Sequence, residues 1–330
     1  MRITENNSTV LQILNYSKLS IGKYLNLNQN EFDKLIKNIN VKKNNTGINS
    51  QLFFVDFYEN EKHFLNSICI KYSSDKSEQS NLNLEAHILK ELTTNTANIC
   101  PRIIDFGTVV GTNNTFIIMS LVNGKPLSNV VISIQEAEKI LDLILTHEKI
   151  LLKDRVVLDH RSIINKLHEK IDYRKKILLL LGGLDNKFKI SNSLRFLNYY
   201  LNHPSIIKHR KIITDRSSSN FLLEPDDRIK LIDFSTIRAG SIFDNWIQFI
   251  DDPRSEFSCS REQLIDLFFE KNNKTSVKFF QAASVYTCLL QGIFSYKQNQ
   301  KIGNAYFEKA NKAYSLLKKN KVVQNLISEV

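Results

Sequence analysis

The chain has 330 residues, 42% hydrophobic and 24% charged, enough apolar material for two lobes or one large domain, which excludes a fibre, a linker or a disordered tail. The formal net charge of +11 favours anionic partners such as nucleotides or phosphorylated metabolites; the lysines are spread along the chain, so direct nucleic-acid binding is not favoured. No repeat of fixed period is present, and no apolar stretch suits a signal peptide or a membrane span, the longest aliphatic run being 177–181. The four cysteines, Cys69, Cys100, Cys259 and Cys288, have no CxxC spacing, and the seven histidines no metal-ligand spacing. The expectation is free thiols, no zinc site and a reducing, cytoplasmic setting.

In chain order, residues 1–45 read as an N-terminal extension of short polar helices, such as 29–40 with Phe32, Leu35, Ile36 and Ile39 on one side. The texture changes at Gln51. LFFVDFY (52–58) and NSICIKY (66–72) are β-type runs around a charged turn, followed by a helix over about 80–92. Two further strands follow, PRIIDFGTVV (101–110) and TFIIMSLV (115–122), and Gly124 with Pro126 marks a break. Beyond Gln135 the pattern is helical except for NFLLEPDDRIKLIDF (220–234), read as a hairpin turning at Asp226 and Asp227. That turn sets Asn220 opposite Asp233. The tail, 275–319, is helical. The expected architecture is α+β: a β-rich lobe with one internal helix over 46–122, and a larger, mostly helical lobe over 123–330.

Several polar residues stand out from this scaffold. Asp233 ends the apolar strand KLIDF, beside Asn220; a carboxylate and an amide oxygen are hard donors that suit Mg²⁺. Asp215 lies five residues before Asn220 in IITDRSSSN, on a loop where it can orient an attacking hydroxyl or accept its proton. Taken singly, each also reads as a turn residue or a strand-end cap. Glu85 falls inside the apolar stripe of Leu84, Ile88, Leu89 and Leu92. A buried carboxylate is costly unless paired, and Lys71, at the end of NSICIKY, is the natural partner. KDRVVLDH (153–160) offers Asp154 and Asp159 but no asparagine at the required distance, and reads as a loop between helices.

This set, from about Gly47 to Asp252, resembles the aminoglycoside phosphotransferase and choline kinase group of the protein-kinase-like superfamily. The resemblance implies a two-lobed kinase-like fold and the transfer of a phosphate from ATP, with Mg²⁺, to a small-molecule acceptor; GTP as donor stays open. It implies that Lys71, paired with Glu85, holds the nucleotide phosphates. Asp215 and Asn220 match the aspartate and asparagine of the family's HGDxxxxN loop, and Asp233 in Ile232-Asp233-Phe234 matches its metal aspartate, so Asn220 and Asp233 are the implied metal ligands. FIIMSLVNGKPL (116–127) is similar to the hinge, which puts Met119, Ser120 and Val122 near the base. Gly47 is the one glycine of a phosphate-covering loop, and Asp244 in SIFDNW is the candidate brace of the catalytic loop.

The sequence departs from the family where the loop histidine and glycine are Ile213 and Thr214. That change is the best support for a rival reading, a non-catalytic nucleotide-binding pseudokinase or scaffold. A protein or peptide kinase is a further rival, opposed by Ser235 in place of the DFG glycine and by the lack of an APE-like segment. From Asp244 to Glu270 seven acids face two bases, Arg254 and Arg261. An acidic wall there would suit a cationic acceptor such as an amino sugar, an aminoglycoside or choline; a solvated helix face reads equally well.

Overall fold

The structure is a computed structural model that describes residues 5–44, 50–60, 63–96, 98–151, 153, 211–213, 215–234, 238–240, 243–272 and 277–318. Gly47, Thr214, Ser235, the 177–181 run and all of KDRVVLDH but Lys153 lie outside the described residues. The chain divides into two compact units, residues 1–124 with 224–236, and residues 125–223 with 237–330.

The first unit is built on an antiparallel five-stranded sheet of β1 (Ile39–Asn44), β2 (Gln51–Asn60), β3 (His63–Ser73), β4 (Ile103–Thr108) and β5 (Thr115–Ser120), in the order β1-β2-β3-β5-β4. Alternation fixes its two faces. Phe53, Val55, Phe57, Ile68, Ile70, Tyr72, Phe116 and Ile118 are buried on one face against α1 (Glu5–Tyr16), α2 (Lys18–Leu25) and α3 (Gln29–Leu35). Val10, Ile13 and Leu14, at helical spacing on α1, enter the same core. The register pairs Lys71 with Leu52 and Ile117, and Cys69 with Phe54 and Met119. Those residues therefore belong to the opposite face. α4 (Lys76–Asn95) follows β3 and runs several residues beyond the stretch expected at each end.

The N-terminal helices are locally specified. Asn28 and Glu31 form a capping box at the start of α3 (3.0 and 2.7 Å), and α2 ends on Asn26 in the left-handed region at φ 58°. Residues 39–44, which the sequence reading placed in and beyond a helix, form β1 instead, paired Ile39↔Phe57 through Asn44↔Leu52. As an edge strand carrying Lys42 and Lys43, β1 shows little apolar alternation, and lysines there discourage further strand pairing.

The second unit opens with β6 (Lys125–Pro126), β7 (Val131–Ile132) and α5 (Ile134–Leu151). Ser133 and Glu136 cap α5 reciprocally at 3.2 and 2.7 Å. β8 (Lys211–Ile213) and β9 (Phe221–Leu223) follow; β10 (Ile229–Leu231) belongs to the first unit, where the Leu231 N–H donates to the Ile99 carbonyl. Asp226 and Asp227 do form a turn, with the Glu224 N–H donating to the Arg228 carbonyl (2.8 Å) and Asp227 at φ 61°. β11 (Arg238–Gly240) pairs with β8, and β12 (Glu256–Phe257) runs parallel to β7. The remaining helices are α6 (Asp244–Ile250), α7 (Arg261–Lys271), α8 (Val277–Gln298) and α9 (Gln300–Lys318).

Every residue of α6 is buried. The Trp246 indole N–H donates to the Leu264 carbonyl at 2.9 Å, and Phe249 packs edge-on against Phe221 and Phe257. α8 and α9 form an antiparallel pair whose close approach depends on glycine. A Cβ on Gly303 would lie 2.6 Å from the Tyr296 Cα, and one on Gly292 2.5 Å from the Phe307 ring. The Tyr296 obstacle is backbone, which no rotamer change relieves. Gly303→Ala is therefore expected to destabilise the protein by about 1–3 kcal/mol, against alanine's better helix propensity of roughly 1 kcal/mol. Thermal melting checks this; an unchanged or higher Tm would show that the helices separate freely.

Among the described residues, no helix is long and apolar enough to cross a membrane. The four cysteines are free; Cys69, Cys100 and Cys288 are buried and Cys259 is half-buried.

Candidate active site

The first unit brings Lys71, Glu85 and Asp233 together. Alternation along β3 puts Lys71 on the sheet face away from α1–α3, and its ammonium lies 2.8 Å from Glu85 Oε2 and 3.1 Å from Asp233 Oδ1. Glu85 is 2% exposed, and both its oxygens are used, since Oε1 accepts the Phe234 N–H at 3.2 Å. That second bond ties the helix carboxylate to the residue following Asp233. The partner expected for a carboxylate in the α4 apolar stripe is thus Lys71.

The charges in this triad are set by competition between burial and pairing. Burial works against the Lys71 ammonium, but the charges of Glu85 and Asp233 and their hydrogen bonds outweigh it, and its pKa stands above the usual lysine value. Burial pushes the Glu85 carboxyl up, opposed by Lys71 and the Phe234 N–H. Lys71 is therefore a fixed cation at neutral pH, held between two carboxylates. Asp233, with its side chain 41% exposed, is the open member.

Asp233 also has φ 63°, a left-handed conformation that costs most side chains about 1–2 kcal/mol and that aspartate tolerates better than most. A turn of this kind carries the carboxylate off the end of β10 toward Lys71. Asp233→Gly and Asp233→Ala both remove the carboxylate, so their difference isolates the backbone. The glycine variant is expected to be more stable by about 1 kcal/mol in chemical denaturation. Equal midpoints would contradict the strained conformation.

The second unit carries the loop from Asp215 to Asn220. Asp215 Oδ1 accepts the Ser217 N–H at 3.1 Å, and the Asn220 amide nitrogen donates to the Asp215 carbonyl at 3.2 Å. Ser218–Asn220 form one turn of 3-10 helix, closed by the Asn220 N–H on the Ser217 carbonyl at 2.9 Å. The five-residue spacing therefore makes a self-bonded loop with Asp215 and Asn220 joined at its base. Next to Asp215, Arg216 is fully buried; burial lowers its pKa, opposed by the charges of Glu148 and Asp215. Glu148 on α5 accepts from the Asn245 amide at 2.6 Å. His147 beside it has its pKa lowered by burial and then by the charge of Arg216, so it is neutral at pH 7.

The other expected residues are placed as follows. Met119 is the penultimate residue of β5, buried and opposite Cys69. Ser120 exchanges hydrogen bonds with the Arg102 backbone (2.8 and 2.9 Å), and Val122 is half-buried in the segment after β5. Asp244 is buried at the start of α6 and accepts from Thr287 Oγ1 at 3.3 Å.

The acidic segment is not the wall that its composition suggested. Asp244, Asp251 and Asp252 are buried, Asp251 is paired with Arg261 and Asp252 with Arg254, and the exposed acids are Glu256, Glu262, Asp266 and Glu270. Sequence reasoning missed that Asp252 is bound to the Asp215 loop: its Oδ2 accepts both the N–H and the hydroxyl of Ser218, at 2.8 and 2.9 Å. The available signal was the Asp252-Pro253-Arg254 turn, in which an acid and a base two residues apart can pair locally.

No family model matches the sequence, and no curated protein does. Solved structures do match in fold. The GDP and kanamycin complex of APH(2")-IIia superposes with a TM-score of 0.55 at 15% identity, over 86% of this chain and 93% of that one. The fold is that of the aminoglycoside phosphotransferases. It is α+β, two-lobed and protein-kinase-like, as the sequence motifs implied. An apo thermostable mutant of the aminoglycoside phosphotransferase APH(4)-Ia gives 0.53 at 15% identity over 84% and 94%. The streptomycin–ATP–APH(2")-IIa ternary complex gives 0.51 at 16% identity over 84% and 96%.

Proposed function

We propose that the protein is a phosphotransferase that moves the γ-phosphate of MgATP to a hydroxyl of a small molecule. The observation that carries this reading is the Lys71–Glu85–Asp233 triad, a cation locked by a buried carboxylate beside a second, half-buried carboxylate. A salt bridge serving stability alone would gain nothing from a partly open third member in a left-handed backbone. Strained residues of this kind cluster at functional sites.

Lys71, oriented by Glu85, would hold the α- and β-phosphates, and the hinge residues Met119, Ser120 and Val122 would border the base, with Gly47 over the phosphates. Asp233 and Asn220 would hold Mg²⁺. They fit that ion: both offer hard oxygen donors, and Asn220 commits its amide nitrogen to the loop, which leaves the amide oxygen to ligate. Magnesium, when bound, neutralises charge on the phosphate oxygens. Asp215 would orient the acceptor hydroxyl and accept its proton, and Asp244 would brace the loop from α6. Neighbours in fold were crystallised with GDP or ATP and with kanamycin or streptomycin, which supports a nucleotide donor and a small polyhydroxylated or cationic acceptor. Glu262, Asp266 and Glu270, exposed four residues apart along α7, are compatible with a cationic one.

The test is incubation with γ-labelled ATP and a panel of amino sugars, aminoglycosides and choline, with Asp233→Asn as control. Label reaching a panel member in the wild type only supports the reading. Nucleotide binding without transfer to any acceptor or to water would favour a non-catalytic scaffold.

A further inference from the structure

The contacts of Asp252 and Arg254 reach beyond local pairing. Asp252 is completely buried. Its Oδ2 holds the N–H and hydroxyl of Ser218, three residues after Asp215. Its Oδ1 accepts the backbone N–H and Nε of Arg254 at 3.1 and 2.9 Å, with the Tyr306 hydroxyl of α9 at 3.5 Å. Arg254 then returns to the same loop, its Nη1 donating to Ser219 Oγ at 3.3 Å. Ser219 Oγ in turn lies 3.2 Å from Ser217 Oγ, and the Ser217 N–H is the donor to the Asp215 carboxylate. A chain of hydrogen bonds thus runs from Asp252 through Arg254 and two serines to the carboxylate.

We infer that Asp252 and Arg254 are positioning residues for Asp215, clamping its loop from the segment after α6. The inference rests on the phosphotransferase reading. A short loop of small polar residues has little packing of its own to hold one conformation. Ser217, Ser218 and Ser219 offer hydroxyls rather than apolar bulk, so the loop's own hydrogen bonds are supplemented by partners outside it. A buried carboxylate with five donors supplies that restraint, because charge-assisted bonds are shorter and stronger than neutral ones. Arginine suits the second position, since its fork spans Asp252 and Ser219 at once, which a lysine cannot do. Asp244, also buried on α6, contacts Thr287 on α8.

The experiment measures MgATP hydrolysis to ADP without acceptor, together with amide exchange over residues 215–220 and thermal melting, for wild type, Arg254→Met, Arg254→Lys and Ser218→Ala. Lys271→Ala, which removes a surface contact to Glu138 and Asp142, serves as control. Arg254→Met is expected to lower kcat by about 100-fold with KM for MgATP within about threefold, and Arg254→Lys to recover only part of the loss. Ser218→Ala should cost about tenfold, since it keeps the N–H bond. Exchange at the Ser218 amide should rise in both Arg254 variants without a matching loss of Tm. Unchanged kcat and exchange in a folded Arg254→Met protein would overturn the inference while leaving the phosphotransferase reading intact. If Arg254→Met does not fold, an unaltered kcat and loop exchange in Ser218→Ala overturns it. Absence of MgATP turnover in the wild type, both to water and to every member of the acceptor panel, would sink the reading itself and this inference with it.

Discussion

Asp215→Ala is expected to lower phosphate transfer from MgATP by about 10²–10⁴-fold, the usual contribution of a positioned general base, with little change in MgATP affinity. Affinity is spared because the cation assigned to the phosphates, Lys71, belongs to a triad in the other unit. The carboxylate has a second role, because Oδ1 caps the Ser217 N–H. Alanine removes that bond as well, a local loss of about 0.5–1.5 kcal/mol. Asp215→Asn separates the two roles, since its amide oxygen can still accept the Ser217 N–H but is not a base. Both variants should be equally impaired in kcat. Activity retained in the asparagine variant would reduce Asp215 to a turn residue, the bland alternative that its sequence context also allows.

The second large effect is on stability. Asp251, 1% exposed, accepts Arg261 Nε and Nη2 at 2.7 and 2.8 Å and the Ser284 hydroxyl at 2.7 Å. Arg261 also lies over the Phe280 ring, 5.9 Å from its centroid. Arg261→Ala strips a fully buried carboxylate of its bidentate partner, and about 3–5 kcal/mol of stability should go with it, a large share of a typical 5–15 kcal/mol total. Its dependence on pH has a definite sign. Burial pushes the Asp251 carboxyl up, but Arg261, then Lys309 and Ser284, outweigh it and hold its pKa below the ordinary 3.8. A depressed carboxyl contributes stability that is present above the unfolded value and lost as pH falls through the folded one. The gap between wild type and Arg261→Ala should therefore be full at neutral pH and narrow below about pH 4. Denaturant titrations at pH 7 and pH 3.5 check this. A gap that widened in acid would contradict the assignment.

Much of this site was legible because its residues violate their surroundings. Glu85 stands in an apolar helical stripe, Lys71 ends an apolar strand, and Asp233 follows another; each needs a partner, and they find one another. What escaped notice was either conformational or collective. Nothing in Ile232-Asp233-Phe234 announces a left-handed Asp233. β1 was missed because its charged edge residues mask alternation at Ile39 and Val41. Counting charges from Asp244 to Glu270 could not separate buried, paired carboxylates from exposed ones, so Asp251 and Asp252 were read as surface when they hold α7 and the Asp215 loop in place.

The most direct test of the central claim is calorimetric titration of MgATP into the wild type, into Asp233→Asn and into the wild type without magnesium. Asparagine keeps the size of the side chain and tolerates the left-handed backbone, so the variant removes chiefly the charge. Magnesium-dependent binding in the wild type that is lost or strongly weakened in Asp233→Asn is the result expected of a nucleotide site built on Lys71, Glu85 and Asp233. No binding of ATP or GTP to the folded wild type, or equal binding by the variant, would contradict it.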